Sequence, residues 1–178
     1  KYEGDAIIAF WNAPLDVPDH AIRAIRAALR CGRKLTELRP GFKERIGRDI
    51  YARIGINTGM VVVGNMGSSQ RFDYTFLGDA GNLASRLEGI NKQFGTYVMT
   101  SEYTLSRLQG EFAARELSRV RVVGRAEPVH VYEPMFKDDY EAKAGIWQTF
   151  AEGLEKFYTG DFKAALARFE TISGADPP

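Results

Sequence analysis

Two polar residues spaced four apart carry the strongest chemical signal in this sequence of 178 residues. Asn82 and Arg86 follow a Gly-Asp turn, on a stretch whose apolar residues recur at helical spacing. On a helix, residues four apart project from one face. An amide and a guanidinium held side by side near a helix N-terminus form a cradle for a phosphate or a ribose. The alternative interpretation is an ordinary solvated helix face.

A carboxylate near the start of the chain is the second candidate. Asp5 follows a glycine in a turn that leads into the apolar run at residues 6–11. Carboxylate oxygens are ligands that Mg²⁺ prefers, although most turn carboxylates only stabilise the turn. A structural zinc site is not expected, because the sequence has only Cys31, His20 and His130 as soft or imidazole ligands.

Short strands and helices alternate along the chain and must position these residues. Strands are predicted where apolar or β-branched runs are bounded by turn residues, and helices where apolar residues form a stripe. The predicted strands are residues 6–11, 51–56, 60–65, 72–77, 96–100, 120–123 and 129–132. The predicted helices carry their apolar stripes at 22–38 and 83–90, with a short third helix at 102–108.

Hairpins connect most of the predicted strands. Residues 57–59, Asn-Thr-Gly, are typical of a hairpin turn, and Gly124 marks another. Pro40 is expected to end the first helix, and Asp79 to be the N-cap of the second. The resulting order is β-α-β-β-β-α-β-α-β-β. With hairpins dominant, this order predicts an α+β sandwich and not a doubly wound parallel sheet.

The composition changes after Pro134. Residues 135–140 are interpreted as a linker, 141–172 as a helical hairpin and 173–178 as a tail. A Gly-Asp break in the hairpin and an Ala-x₃-Phe pattern after it partly match a tetratricopeptide repeat. One such unit cannot bury its apolar face alone. It must therefore dock on the main domain, pair with another copy or continue downstream.

The charge balance excludes several classes of partner. With 24 basic and 23 acidic side chains, the net charge of +1 offers no global attraction to nucleic acid or to an anionic membrane. A stripe of four arginines (Arg23, Arg26, Arg30 and Arg33) lacks interleaved aromatic residues and is interpreted as a solvated helix face. The single cysteine is typical of a reducing compartment. We therefore expect a cytoplasmic location, with any membrane attachment made by segments outside this sequence.

Four segments together resemble the class III adenylate/guanylate cyclase catalytic domain. They are residues 1–10, 53–59, 73–88 and 120–129. The most specific is the Gly-Asn-Leu-Ala-Ser-Arg sequence at 81–86. The resemblance covers residues 1–134 and implies a ferredoxin-like sandwich with a mainly antiparallel sheet, whose first strand and helix would precede Lys1. It also implies conversion of ATP to cyclic AMP and pyrophosphate for intracellular signalling.

The resemblance assigns roles to the candidate residues. Arg86 would stabilise charge on the pentavalent phosphate, and Asn82 would orient the ribose. Asp5 would help to hold two Mg²⁺ (or Mn²⁺) ions, together with a second aspartate on the preceding strand. A chain without that second carboxylate is expected to lack cyclase activity. Arg125 stands where the family usually has a lysine that contacts the triphosphate, and it keeps the positive charge.

Lys1 and Thr75 match the two positions with which the family recognises the base. A lysine donates to N1 of adenine, and a threonine hydroxyl accepts from the N6 amino group. Guanine reverses this pattern, and guanylate-type members typically carry Glu and Cys at these positions. The pair therefore favours ATP, and a guanylate cyclase is the alternative.

In the family, two domains pair head to tail, so that Lys1 and Asp5 of one chain would serve opposite sites of a homodimer. Two further alternatives come from other classes. A degenerate cyclase-like module would only dimerise or bind nucleotide, against which the intact Lys1, Asp5, Asn82 and Arg86 argue. A ferredoxin-like RNA binder would need aromatic residues stacked on its strands, and this signature is missing.

Overall fold

The computed structural model describes residues 1–68, 70, 72–122 and 127–175. Its strands are β1 (Tyr2–Glu3), β2 (Ala6–Ile7), β3 (Ile54–Ile56), β4 (Val62–Gly67), β5 (Phe72–Leu77), β6 (Val98–Ser101), β7 (Ala113–Val120) and β8 (Val129–Met135). Its helices are α1 (His20–Ile46), α2 (Asp79–Phe94), α3 (Glu102–Leu105), α4 (Lys137–Glu141), α5 (Ala144–Tyr158) and α6 (Phe162–Ile172). No helix in this part of the chain is both long and apolar enough to cross a membrane.

The main sheet has the strand order β3-β6-β8-β7, in which β3 and β6 run parallel and the other neighbours antiparallel. Helix α2 packs on this sheet. Leu83 and Leu87, both fully buried, meet Met99, Val129 and Val131 from the strands. The burial of these side chains supplies the main hydrophobic stabilisation of the domain. The predicted α+β fold with a mainly antiparallel sheet is confirmed.

Helix α1 supplies a second core cluster, formed by Ala21, Ile22, Ile25, Leu108 and Phe112. The prediction that Pro40 ends this helix is wrong, because α1 continues to Ile46. The far half of α1 is largely exposed, so water can bond the carbonyl that a proline leaves without its helical N–H donor. The helix ends instead at Gly47, whose φ of 71° suits a left-handed C-cap.

The predicted hairpin between residues 51–56 and 60–65 is also wrong. Strand β3 pairs with β6, whereas β4 pairs with β5 in a separate two-stranded ladder that matches Val62 with Leu77 and Gly64 with Thr75. The loop between β3 and β4 therefore passes from one sheet to another. Its polar residues bond α2 and the β6–α3 junction instead of closing a tight turn.

The chain start differs from the expected buried strand at 6–11. Strand β2 has two residues and pairs antiparallel with the equally short β1, and Ile7 is 72% exposed. The pairing found for β2 in the described chain is with another surface strand, so no layer covers its side chains. Phe10 is better buried, because its ring packs at 5.9 Å from Tyr74 and 5.5 Å from Phe76.

Two further boundaries differ. Gly78, not Asp79, is the N-cap of α2, and Asp79 lies in the first turn, where a carboxylate still favours the helix dipole. Strand β7 begins at Ala113, well before the expected strand at 120–123, because it pairs with β8 from Ala113 opposite Met135 to Val120 opposite Val129. Residues 123–126, including the turn expected at Gly124, lie outside the described residues.

Helices α5 and α6 pack against each other as a helical hairpin. A Cβ on Gly153 of α5 would come within 2.6 Å of the Phe169 ring of α6, so the two helices touch through a glycine. The rings of Phe150 and Phe169 lie 5.4 Å apart. Residues 135–140, interpreted as a linker, contain the end of β8 and most of α4.

The hairpin docks on β7, which is the first of its three expected fates. Arg115 of β7 is buried, donates to Glu133 at 2.7 Å and stacks 4.2 Å from the ring centre of Trp147. Farther along, the Tyr158 hydroxyl donates to Glu116 at 2.8 Å. Burial raises the pKa of the Tyr158 hydroxyl, and the hydrogen bond and negative charge of Glu116 add to the effect. Tyr158 therefore stays a neutral donor at physiological pH.

Candidate functional site

Helix α2 is the platform for the two residues first singled out. Leu83 and Leu87 point into the core and are fully buried, so Asn82 and Arg86 take a different face of the helix. Asn82 is exposed and Arg86 is half-buried. The Asn82 amide and the Arg86 guanidinium project from the same side of the helix because the two residues are four apart in sequence. Their roles remain predictions.

The helix lies unusually close to strand β3. A Cβ on Gly55 would fall 2.1 Å from the carbonyl oxygen of Ala84 and 2.3 Å from the backbone nitrogen of Glu88. Only a residue without a side chain allows the backbone of β3 to touch the helix in this way. The height of the middle of α2 above the sheet, at Ala84 and Glu88, is thereby set by backbone contact.

Two asparagine side chains tie α2 at its ends. Asn57, just after β3, donates from Nδ2 to the carbonyl of Ala80 at 2.9 Å. Asn91, near the helix C-terminus and fully buried, donates to the carbonyls of Ile54 at 3.2 Å and Leu87 at 3.0 Å. The sequence interpretation assigned no role to either. The signal available for Asn57 was its place in the Asn-Thr-Gly segment, which instead suggested a turn.

Strand β5 carries Thr75, and Lys1 lies against the same strand. The Lys1 Nζ atom is 2.8 Å from Glu3 and 3.9 Å from Oδ2 of Asp73. Asp73 and Thr75 are two residues apart on β5 and therefore face the same side. The structure thus brings Lys1 to the face of β5 that carries Thr75.

The surroundings of Lys1 and Thr75 suit a polar ligand. The hydrogen bond that Lys1 donates to Glu3 raises the pKa of the Lys1 ammonium, and the negative charges of Glu3 and Asp73 raise it further. Across the ladder, Thr75 faces Gly64. Among the described residues, and apart from the chain neighbours of Gly64, no heavy atom lies within 4 Å of the place where a Gly64 Cβ would be, so the surface is open at that point.

Asp5 lies in the turn between β1 and β2, after Gly4 with its φ of 61°, and is exposed. Its carboxylate can act as one oxygen ligand of a hard cation. Within the described ranges, no group of three or more His, Cys, Asp or Glu side chains is arranged to hold a metal ion. Arg125, the candidate for the triphosphate, lies outside the described residues.

Two cavities accompany this arrangement. The smaller, of about 300 Å³, opens beside the start of α2 between residues 57–60, Asp79, Ala80 and Tyr103. The larger, of about 480 Å³, lies between β7 and the C-terminal hairpin, with Leu117, Phe150 and Phe169 among its apolar lining. None of the candidate residues lines the larger cavity. Cavity volume by itself therefore would not identify the polar site.

The fold matches those of solved nucleotide cyclases. The adenylyl cyclase CyaB from P. aeruginosa superimposes with a TM-score of 0.62 and 27% identity, over 71% of this chain and 64% of that one. The guanylyl cyclase Cya2 gives a TM-score of 0.61 and 28% identity, over 71% and 63% of the two chains. Both cyclase types are therefore represented among its structural neighbours.

Residues 1–133 match the family of adenylate and guanylate cyclase catalytic domains, and the chain belongs to this family. Adenylate cyclase 1 of Rhizobium meliloti (strain 1021) is 35% identical over 133 residues, which are 75% of this chain and 20% of the relative. The terminal-differentiation specific adenylate cyclase of Dictyostelium discoideum is 31% identical over 184 residues, covering 99% of this chain and 8% of the relative. The chain thus spans a fifth or less of these two relatives.

Proposed function

We propose that the protein containing this chain is an adenylate cyclase that converts ATP to cyclic AMP and pyrophosphate. The observation that carries the choice of base is the position of Lys1 against the β5 face that bears Thr75, with Lys1 Nζ 3.9 Å from Asp73. The names of the curated relatives support the same choice, since several are adenylate cyclases.

The polar groups on this face complement adenine. A lysine ammonium is protonated at neutral pH, and the pKa of Lys1 is raised further, so it can donate to the N1 acceptor of adenine. The Thr75 hydroxyl can accept from the N6 amino group, and the open space over Gly64 leaves room for a planar base. Guanine presents a donor at N1 and an acceptor at O6, which would leave both protein groups poorly matched. An unmatched buried polar group typically costs about 1–3 kcal/mol.

The reaction proposed is an intramolecular displacement at the α-phosphate. The ribose 3′-oxygen forms a bond to the α-phosphorus, the bond from that phosphorus to the bridging oxygen of the β-phosphate breaks, and the hydroxyl proton leaves to solvent. The products are cyclic 3′,5′-AMP and pyrophosphate. Arg86 stabilises the negative charge on the pentavalent phosphorus, and Asn82 holds the ribose so that the 3′-oxygen faces it. Arg125 is assigned to the triphosphate.

Divalent metal ions are general in this family, and Asp5 fits the role of a carboxylate ligand. Mg²⁺ sites in nucleotide enzymes commonly combine one or two carboxylates with phosphate oxygens of the substrate. We assign Asp5 as a ligand of two Mg²⁺ (or Mn²⁺) ions, which when bound would activate the 3′-hydroxyl and neutralise the departing pyrophosphate. The exposure of Asp5 leaves it accessible to a substrate held by another chain.

A head-to-tail homodimer would bring these groups together. On the ladder of β4 and β5, Val62 and Leu77 form a cross-strand pair on the same face as Thr75 and are 70% and 64% exposed. Met60, just before β4, is 93% exposed. Apolar residues gathered beside a polar site on a monomer surface are typical of a protein interface. A second copy covering this face would bring its own Asp5 to a site that contains Arg86.

The choice of substrate is tested by assaying the whole protein that contains this chain, purified, with ATP and GTP in the presence of Mg²⁺ or Mn²⁺. We expect cyclic AMP, with kcat/KM for ATP at least about 10-fold above that for GTP, as the loss of one matched hydrogen bond implies. Predominant cyclic GMP would identify a guanylate cyclase. Nucleotide binding without either product would identify a cyclase-like module that has lost catalysis.

The head-to-tail arrangement is tested by mixing two inactive variants. Asp5→Asn removes a metal ligand, and Arg86→Ala removes a phosphate contact. In a head-to-tail heterodimer of the two, one site keeps both native residues, so random mixing should restore about a quarter of wild-type activity. The control is each variant assayed alone at twice its concentration in the mixture. Absence of recovery, with heterodimers demonstrated by pull-down of a tagged variant, would place Asp5 and Arg86 in the same site of one chain.

A further inference from the structure

The loop between β3 and β4 joins three elements through side chains that the proposed chemistry does not use. Asn57 donates from Nδ2 to the Ala80 carbonyl at 2.9 Å, and its Oδ1 accepts from the Ser101 hydroxyl at 2.5 Å. The hydroxyls of Thr58 and Thr104 lie 3.0 Å apart. Asn57 therefore bridges the end of β6 and the first turn of α2.

The geometry around Asn57 is imposed by the sheet. Ile56 of β3 pairs with Thr100 of the parallel strand β6, so Asn57, just past the end of β3, comes to lie beside Ser101, the last residue of β6. Ser101 is fully buried, which gives its hydroxyl a fixed position from which to orient the Asn57 amide. The bond to Ala80 follows from that orientation.

The first turn of α2 is held by this loop from outside the core. A Cβ on Gly59 would come within 2.8 Å of the Ala80 Cβ, so the loop backbone touches the helix as well. Ala80 lies two residues before Asn82 and six before Arg86. A shift of Ala80 would carry both candidate residues with it.

Apolar packing sets the position of α2 less accurately than the hydrogen bond from Asn57 to Ala80 does. The contacts of Leu83 and Leu87 with the sheet are non-directional, whereas hydrogen bonds lose strength steeply when their geometry changes. A displacement of about 1 Å of a positioned group can cost about 10²-fold in rate. A directional bond at the start of the helix is therefore the contact that suits the placement of Asn82 and Arg86.

We propose that Asn57 is a positioning residue for the cyclisation, acting through the Ala80 carbonyl on the placement of Asn82 and Arg86. This inference rests on the proposed cyclase function. Its rival is a purely structural role, in which Asn57 only secures the loop. A structural role predicts a loss of stability and an unchanged kcat of the folded protein.

The other end of α2 offers a matched control. There Asn91 accepts from the Thr96 hydroxyl at 2.8 Å, as Asn57 accepts from Ser101. Both hydroxyls are buried. Ser101→Ala and Thr96→Val each remove one hydroxyl that orients an asparagine, but only the first acts at the end of α2 that contains Ala80.

The main variant is Asn57→Asp, which keeps the size and the acceptor for Ser101 but loses the donor to Ala80. We expect kcat to fall about 10-fold or more, with KM for ATP changed less than about 3-fold, because the groups displaced act in the transition state. Ser101→Ala should lower kcat in the same direction. Thr96→Val should lower the melting temperature by a similar amount and leave kcat unchanged.

Combination with Arg86→Ala separates positioning from general damage. If Asn57 acts through the residues of α2, Asn57→Asp should lower kcat by a smaller factor in an Arg86→Ala background than in the wild type, because only the placement of Asn82 is then left to disturb. Full additivity, or a normal kcat in Asn57→Asp, would overturn the proposal.

Hydrogen exchange tests the tether without any activity. Asn57→Asp should speed amide exchange at residues 80–86 and leave residues 90–94 unchanged, and Thr96→Val should do the reverse. If the wild-type protein forms no cyclic nucleotide, the proposed function fails, and this exchange pattern alone decides whether Asn57 places α2. Equal exchange in wild-type and Asn57→Asp proteins would exclude the tether.

Discussion

Replacing Arg86 by alanine is expected to lower kcat by about 10²–10³-fold, which is typical for the loss of a donor aimed at charge that develops in the transition state. The affinity for ATP should change much less, because the triphosphate keeps its other contacts. Steady-state rates of cyclic AMP formation and a direct binding measurement with a non-cyclising ATP analogue would separate the two quantities.

Two further variants define what Arg86 does. Lys92→Ala removes a positive charge from an exposed site on the same helix and should leave kcat within about 2-fold of wild type. Arg86→Lys keeps the charge but loses the bidentate fork, so an intermediate kcat is expected. A near-normal kcat in Arg86→Ala would remove Arg86 from the mechanism.

Exchanging the base-reading pair should reverse substrate choice. Lys1→Glu combined with Thr75→Cys replaces the groups that match adenine by groups that match guanine, and the ratio of kcat/KM for GTP over ATP should rise by about 10²-fold. The measurement is competition between the two nucleotides, with both cyclic products quantified. A wild-type protein that already prefers GTP would contradict our interpretation of Lys1 and Thr75.

The structure dictates how this exchange should be made. Lys1 is paired with Glu3 and lies 3.9 Å from Asp73, so a glutamate at position 1 would face two carboxylates. Carboxylates held this close to one another repel, which would disfavour the ionised form of the new glutamate. Both the wild-type and the exchanged pair should therefore be compared in a background that carries Glu3→Gln and Asp73→Asn. Thr75→Ser is the conservative control, because it keeps the hydroxyl and should keep the preference for ATP.

Local features of the site could be predicted from the sequence. Asn82 and Arg86 share a helix face because α-helical geometry repeats every 3.6 residues, and Leu83 and Leu87 are buried because their spacing makes an apolar stripe. Asp5 lies in a turn because Gly4 accepts a positive φ. The resemblance to the family assigned roles to these residues, and the proposed experiments test those roles.

Partners that are distant in sequence could not be predicted in the same way. The Asn-Thr-Gly segment has the composition of a hairpin turn, yet Asn57 bonds Ala80 and Ser101, which are 23 and 44 residues away. The choice between closing a turn and joining two sheets depends on whether β3 pairs with β4 or with β6. That choice is made by the burial of whole strands, since strand preference is largely a matter of packing context.

What the sequence alone determined are the elements of short range: the helical face of α2, the strand β5 with Thr75, and the C-terminal helical hairpin. Only the tertiary structure decided that Lys1 lies beside β5, that α1 runs through Pro40, and that Arg115 is buried between Glu133 and Trp147. The physical reason is that helical and strand periods are set by neighbouring residues. A charged side chain can be buried only where distant groups satisfy its polar atoms. A helix can continue through a proline only where other groups, or water at an exposed surface, satisfy the carbonyl that has lost its donor.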